Sequence, residues 1–80
     1  MITSQQVRAA RAMLRMTRAE LARASGVGEA TIKRLEANDG IPAAHAKTLD
    51  LLTRALEAAG IEFVGSSDDG PGVRLVRPRN

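Results

Sequence analysis

Three helix starts fall within the first 28 residues of this 80-residue chain, and that crowding leaves little choice of fold. At Thr3 a hydroxyl can cap a helix while Gln6, at the third helical position, reaches back to the cap's own N–H. Thr17 and Glu20 repeat the device. Ile2 with Val7, and Met16 with Leu21, hold the two positions of the hydrophobic contact that fixes the chain's angle of entry. Gly28 is a weaker start, but Val27 and Ile32 again hold those positions. The spacing predicts helices over about 4–15, 18–24 and 29–37. The second and third are short and joined through Ser25-Gly26-Val27, so they must cross closely.

The periodicity fills in the rest. Val7, Ala10 and Leu14 mark the inward face of the first helix. Asn38-Asp39-Gly40 is turn chemistry, and Pro42 can open a fourth helix that ends near Ala59. Leu49, Leu52, Leu56 and Ala59 form one face of it, and Gly60 suits the left-handed position just past its end, with Leu56 meeting Ile61. Beyond Gly60 the period changes from helical to alternating. Residues 61–64 and 73–76 read as two short strands, with 65–72 as a long, flexible hairpin loop. An isolated hairpin is marginal in water, so this one must pack on the helices or pair with another chain. The tail Pro78-Arg79-Asn80 is expected to be disordered. The expected fold class is mainly α, with four helices and a C-terminal β-hairpin.

Composition excludes several classes of function. Phe63 is the single aromatic residue, so the core must be aliphatic. A chain of this size buries only about 60% of the surface its unfolded form exposes, and a partner subunit would help. Without cysteine there is neither a disulfide framework nor a thiolate metal site, which fits a reducing compartment. No apolar run nears the roughly 20 residues of a membrane span, and MITSQQVRAARAM lacks the apolar stretch of a signal peptide. A cytoplasmic protein is expected. Catalysis lacks its ingredients: there is one histidine, His45, and no cysteine. The Gly65–Gly72 stretch lies in a hairpin, not between a strand and a helix start, and Asp68-Asp69 in a flexible loop make a weak cation site. No enzyme activity, cofactor or metal is expected. The charge is unevenly spread. Residues 1–47 carry eight Lys/Arg and four Asp/Glu; residues 48–80 carry four and five. A basic half beside a near-neutral half fits either one face for a polyanion or an ordinarily solvated helical surface.

The central segment can be read from physics alone. Two helices that cross closely need a small residue where their backbones meet, and Ala22 supplies it. Their turn needs a residue that tolerates positive φ, and Gly26 supplies that. Leu21, Val27, Ile32 and Leu35 point inward, which leaves Glu29, Ala30, Lys33 and Arg34 on the outer face. The stretch TRAELARASGVGEATIKRLEA resembles the helix-turn-helix of phage-repressor-like regulators, the Cro/C1 or XRE type. The resemblance rests on Thr17, Glu20, Leu21, Ala22, Gly26, Val27, Ile32, Leu35 and Glu36, and runs over about 4–59. The chain departs from the family pattern at Arg18, where members often carry an amide, at Arg15, where many have glycine, and at the acidic Glu29.

The resemblance implies a sequence-specific, double-stranded-DNA-binding regulator, a repressor, with its third helix in the major groove. It places Glu29, Ala30, Lys33 and Arg34 at or near base edges. Arg34 has the planar fork that matches guanine O6 and N7, and Ala30 can touch a thymine methyl. Arg18, Thr31 and Lys47 are the phosphate contacts. Lys33, Arg34 and Arg18 could also be ordinary surface charge, and Glu29 a first-turn acid suited to the helix dipole. Arg11 and Glu36 match a family pair that fixes the angle of the third helix; with Ala22 and Gly26 they are structural support. His45 reads as a helical surface residue, or with Lys47 as a phosphate contact. Residues 1–60 would form the DNA-binding domain, and 61–80 a hairpin and tail for dimerisation or partner contact. One short recognition helix makes too few contacts for tight binding, so a homodimer on a palindromic operator is expected, its recognition helices about 34 Å apart. The alternative is an antitoxin whose hairpin binds a toxin protein by strand addition while its helix-turn-helix autoregulates.

Overall fold

A computed structural model describes residues 2–76. Among them the chain forms α1 (Ser4–Leu14), α2 (Arg18–Ser25), α3 (Glu29–Glu36), α4 (Ala46–Ala58), and an antiparallel hairpin of β1 (Ile61–Ser66) and β2 (Asp69–Leu75). The expected tail at Pro78-Arg79-Asn80 lies outside the described residues.

The helix starts follow the side-chain chemistry. Thr3 Oγ1 accepts from the Gln6 N–H at 3.1 Å, and Gln6 Oε1 accepts from the Thr3 N–H at 2.9 Å. Thr17 and Glu20 form the same reciprocal pair at 3.0 and 2.8 Å. α3 begins at Gly28 with no side-chain cap. Where α1 ends, Arg15 takes a left-handed conformation, φ 54°. Its N–H donates to the Ala12 carbonyl, and the Met16 N–H donates to the Arg11 carbonyl, at 3.2 and 2.9 Å. That is the two-bond ending usually built on glycine, here with an arginine at the strained position. α2 ends on Gly26, φ 79°, whose N–H donates to the Ala22 carbonyl at 2.9 Å.

One aliphatic cluster joins every element except β2: Ile2, Val7, Ala10, Leu21, Val27, Ile32, Leu35, Leu52, Leu56 and Ile61. Leu14, Met16, Ala22, Phe63, Val73 and Leu75 pack around it. α1 lies against α3, α4 and β2; α2 lies against α3 and α4. The hairpin sits on the helices through Ile61 and the inner faces of Phe63, Val73 and Leu75. Gln6 ties it down: its Nε2 donates to the carbonyls of Val64 and Gly72 at 3.1 and 2.9 Å. One side chain thus caps α1 and holds both strands.

Two sequence expectations are corrected. Pro42 does not open the fourth helix, which begins at Ala46 after an extended His45. The preceding loop is anchored elsewhere: the Ser4 N–H donates to the Gly40 carbonyl, and the Gly40 N–H donates to Gln5 Oε1, both at 2.8 Å. These bonds hold the chain against the first turn of α1, so the helix starts only after the loop has turned back. Nor is 65–72 a long loop. The strands continue to a Ser66–Asp69 pair, with the register shifting between Val64 and Ser66. Gly65 makes this possible. Its φ is +73°, and a Cβ there would collide with the Gly70 carbonyl oxygen. The extra residue on the opposite strand falls near Pro71, which cannot donate to a ladder and is tolerated at a bulge. On the outward side, Arg74 pairs with Glu62 across the strands.

Candidate nucleic-acid interface

α3 is amphipathic, and its two faces meet different surroundings. Ile32, Leu35 and Glu36 are buried, and the first two fill the core against α1 and α2. Glu29, Ala30, Lys33 and Arg34 are all exposed, and Thr31 is half-buried. Ala22, half-buried, packs onto the core from α2, and Gly26 turns the chain from α2 toward α3. The Ser25 hydroxyl accepts from the Val27 N–H at 3.1 Å and closes the turn.

The C-terminal end of α3 is gripped by α1. A helix end leaves its last carbonyls without intrahelical partners. Ser4 Oγ donates to the Leu35 carbonyl at 2.7 Å, and Arg8 Nη1 donates to the Glu36 carbonyl at 2.7 Å. Arg8 Nη2 also pairs with Asp39 at 2.7 Å. The Glu36 side chain is 2% exposed, and Arg11 forks onto it, Nε to Oε2 and Nη2 to Oε1, each at 2.7 Å. Arg11 Nη1 further donates to the Met16 carbonyl at 3.1 Å. These bonds tie the C-terminal end of α3 to α1, while Glu29, Ala30, Lys33 and Arg34 stay exposed.

Arg18 is divided between two surroundings. Its Nε donates to Glu36 Oε1 at 3.1 Å, yet its side chain remains 43% exposed. The sequence implies a phosphate contact or ordinary surface charge at Arg18, and no partner in α3. Lys47 is exposed in the first turn of α4, and His45 is exposed at that helix's start. Thr31 and Arg34 share a shallow groove with Ala43, Ala44, His45 and Thr48, so the outer end of α3 and the start of α4 open on one side; Lys47 is not part of its lining. Hydrogen bonds from the Thr17 N–H and hydroxyl region hold the Glu20 carboxyl below its ordinary value of 4.5.

The grip of Ser4 and Arg8 on α3 escaped sequence reading, although a signal was there. Ser4, Arg8 and Arg11 stand four and three residues apart, a polar stripe at helical spacing on one face of α1. The bond from Arg18 to Glu36 left no such signal, because it joins two different helices. Among the described residues no group of three His, Cys, Asp or Glu could hold a metal ion, and no helix is long and apolar enough to cross a membrane. A family model described as helix-turn-helix matches residues 7–62, from within α1 to the start of β1. The comparison with curated proteins gave no match.

Proposed function

This chain belongs to the Cro/C1-type helix-turn-helix family of DNA-binding transcription regulators, and on that premise we propose that it is a repressor that lays α3 in the major groove of a specific duplex. The observation that carries this is the exposure of Glu29, Ala30, Lys33 and Arg34 on a helix whose opposite face is buried and clamped. A helix whose outer face is short or polar is what base readout requires. Arg34 donates to guanine, Ala30 meets a thymine methyl, and Lys33 reaches an acceptor beside them. Glu29 accepts from a cytosine amino group. Arg18, Thr31 and Lys47 meet phosphates and set the register. The protein acts by binding, not by catalysis, and in the cytoplasm.

The unit over 1–60 carries the DNA contacts and 61–80 the contacts to a twin subunit. The hairpin supports this division: it is a two-stranded sheet, and Val64 and Val76 stand 37% and 58% exposed on it and just past its end. Open strand edges and exposed apolar side chains are the surface on which a second copy can pair.

Selection of bound sequences from random duplexes tests the reading. The expected winner is an inverted repeat whose half-sites lie one helical turn apart, about 34 Å. Winners with single half-sites would remove the dimer, and no enrichment at all would remove sequence-specific binding.

A further inference from the structure

We propose that Arg18 is a positioning residue that couples a backbone phosphate to the angle of α3, so that a contact blind to sequence contributes to sequence discrimination. The inference rests on the duplex-binding reading above. Its starting point is a surplus of charge. Glu36 is buried, and Arg11 alone matches its charge, with both hydrogen bonds of the fork at 2.7 Å. Arg18 adds a second cation to a carboxylate already matched. The three groups together carry one positive charge with no counterpart among them.

That charge faces outward. The Arg18 side chain is 43% exposed, against 18% for Arg11. A guanidinium has five N–H donors, one on Nε and four on the Nη atoms. Arg18 turns only its Nε to Glu36, at 3.1 Å, and no described residue accepts from either Nη. Its backbone opens α2 directly after the Thr17 cap. The geometry is that of a bridge, with one edge on the end of α3 and the forked end free for an oxyanion, whose spacing it fits.

The guanidinium is planar and rigid, so its two edges cannot move independently. A phosphate held by the Nη pair fixes the plane, and the plane fixes where Nε meets Glu36 Oε1. Glu36 is the last residue of α3. Phosphate capture therefore tightens the helix that carries Glu29 to Arg34. A lysine at the same place has the charge and can donate to both groups, but its donors rotate about one nitrogen and form no plane, so a phosphate it holds does not fix where Glu36 sits.

The test compares wild type, Arg18→Lys and Arg18→Gln as full chains. Each is titrated over a range of KCl against the most enriched duplex and a scrambled duplex of equal length. Arg18→Lys is expected to keep the salt slope and the affinity for scrambled duplex, while losing on the order of tenfold in the ratio between the two duplexes. Arg18→Gln is expected to lose the ratio and to flatten the log–log salt slope by about 0.9 per half-site. An unchanged ratio in Arg18→Lys would reduce Arg18 to a simple phosphate contact and overturn the coupling. An unchanged slope in Arg18→Gln would make it purely internal and overturn it equally. A readout on wild type needs no variant: Arg18 side-chain NMR should show the Nε–H bond to Glu36 kept on duplex binding while the Nη protons become slow to exchange. Loss of the Nε–H bond on binding would overturn the bridge. A wild type that favours no duplex would overturn the DNA reading itself, a result distinct from all of these.

Discussion

Arg11 and Glu36 offer the sharpest quantitative test of how α3 is held. Removing Arg11 leaves a carboxylate that is 2% exposed with only the single Arg18 bond at 3.1 Å. An uncompensated buried charge costs about 3–5 kcal/mol, and two charge-assisted hydrogen bonds at the low end of their range are together worth about 3 kcal/mol. Arg18 offsets part of the loss, so Arg11→Ala should cost about 2–3 kcal/mol. At about 4–8 °C per kcal/mol in a domain of this size, the midpoint should fall by roughly 10–20 °C. The clean measurement is a double-mutant cycle with Glu36→Gln, by urea unfolding followed at 222 nm. The loss of the Arg11 bond to the Met16 carbonyl occurs on two parallel edges of the cycle and cancels, whereas Arg18 shares the Glu36 carboxylate and its partial compensation lowers the coupling that is read. The expected coupling is about 2 kcal/mol. A coupling below about 0.5 kcal/mol, the scatter expected of independent sites, would refute the clamp.

Other consequences are simpler. Arg15→Gly should stabilise the chain by about 1 kcal/mol, since it relieves a left-handed φ of 54° on a residue with a Cβ; thermal melts check it. Gly65→Ala should cost more than about 2 kcal/mol, since a left-handed Ala is strained and its Cβ would meet the Gly70 carbonyl oxygen; amide exchange should show the hairpin opening first. Hydrogen bonds at Thr17 hold Glu20 below its ordinary value, so its stabilisation is complete above the usual glutamate range. It fades as pH falls from that range through the lowered value. Glu20→Gln should therefore flatten the acid side of the stability profile, read from melts taken between pH 6 and about pH 3.

The parts of the fold that were legible in sequence are those whose signal is local. Thr3 with Gln6 and Thr17 with Glu20 specify helix starts through bonds spanning three residues, and Gly26 specifies a turn by its own φ. The aliphatic spacing placed Leu49, Leu52 and Leu56 on one face, and the three are buried. The failures have the opposite character. Pro42 looked like a helix start because proline suits a first turn, yet bonds from Ser4 and Gln5 at the far end of the chain decide what that loop does. The 65–72 segment looked flexible because glycine is permissive, whereas Gly65 is there to let two backbones nearly touch. At the candidate interface, the outer face of α3 could be read from its period. The division of Arg18 between Glu36 and solvent could not, since exposure and partner depend on how α2 and α3 cross.

The central claim is that the outer face of α3 reads bases, and the binding-site profile of Arg34→Ala tests it most directly. Wild type and variant are put through the same selection at one salt concentration. One guanine position per half-site should lose its preference, at a cost of about 1–3 kcal/mol, while the other positions keep theirs. A profile identical to wild type, or one weakened uniformly at every position, would contradict the claim.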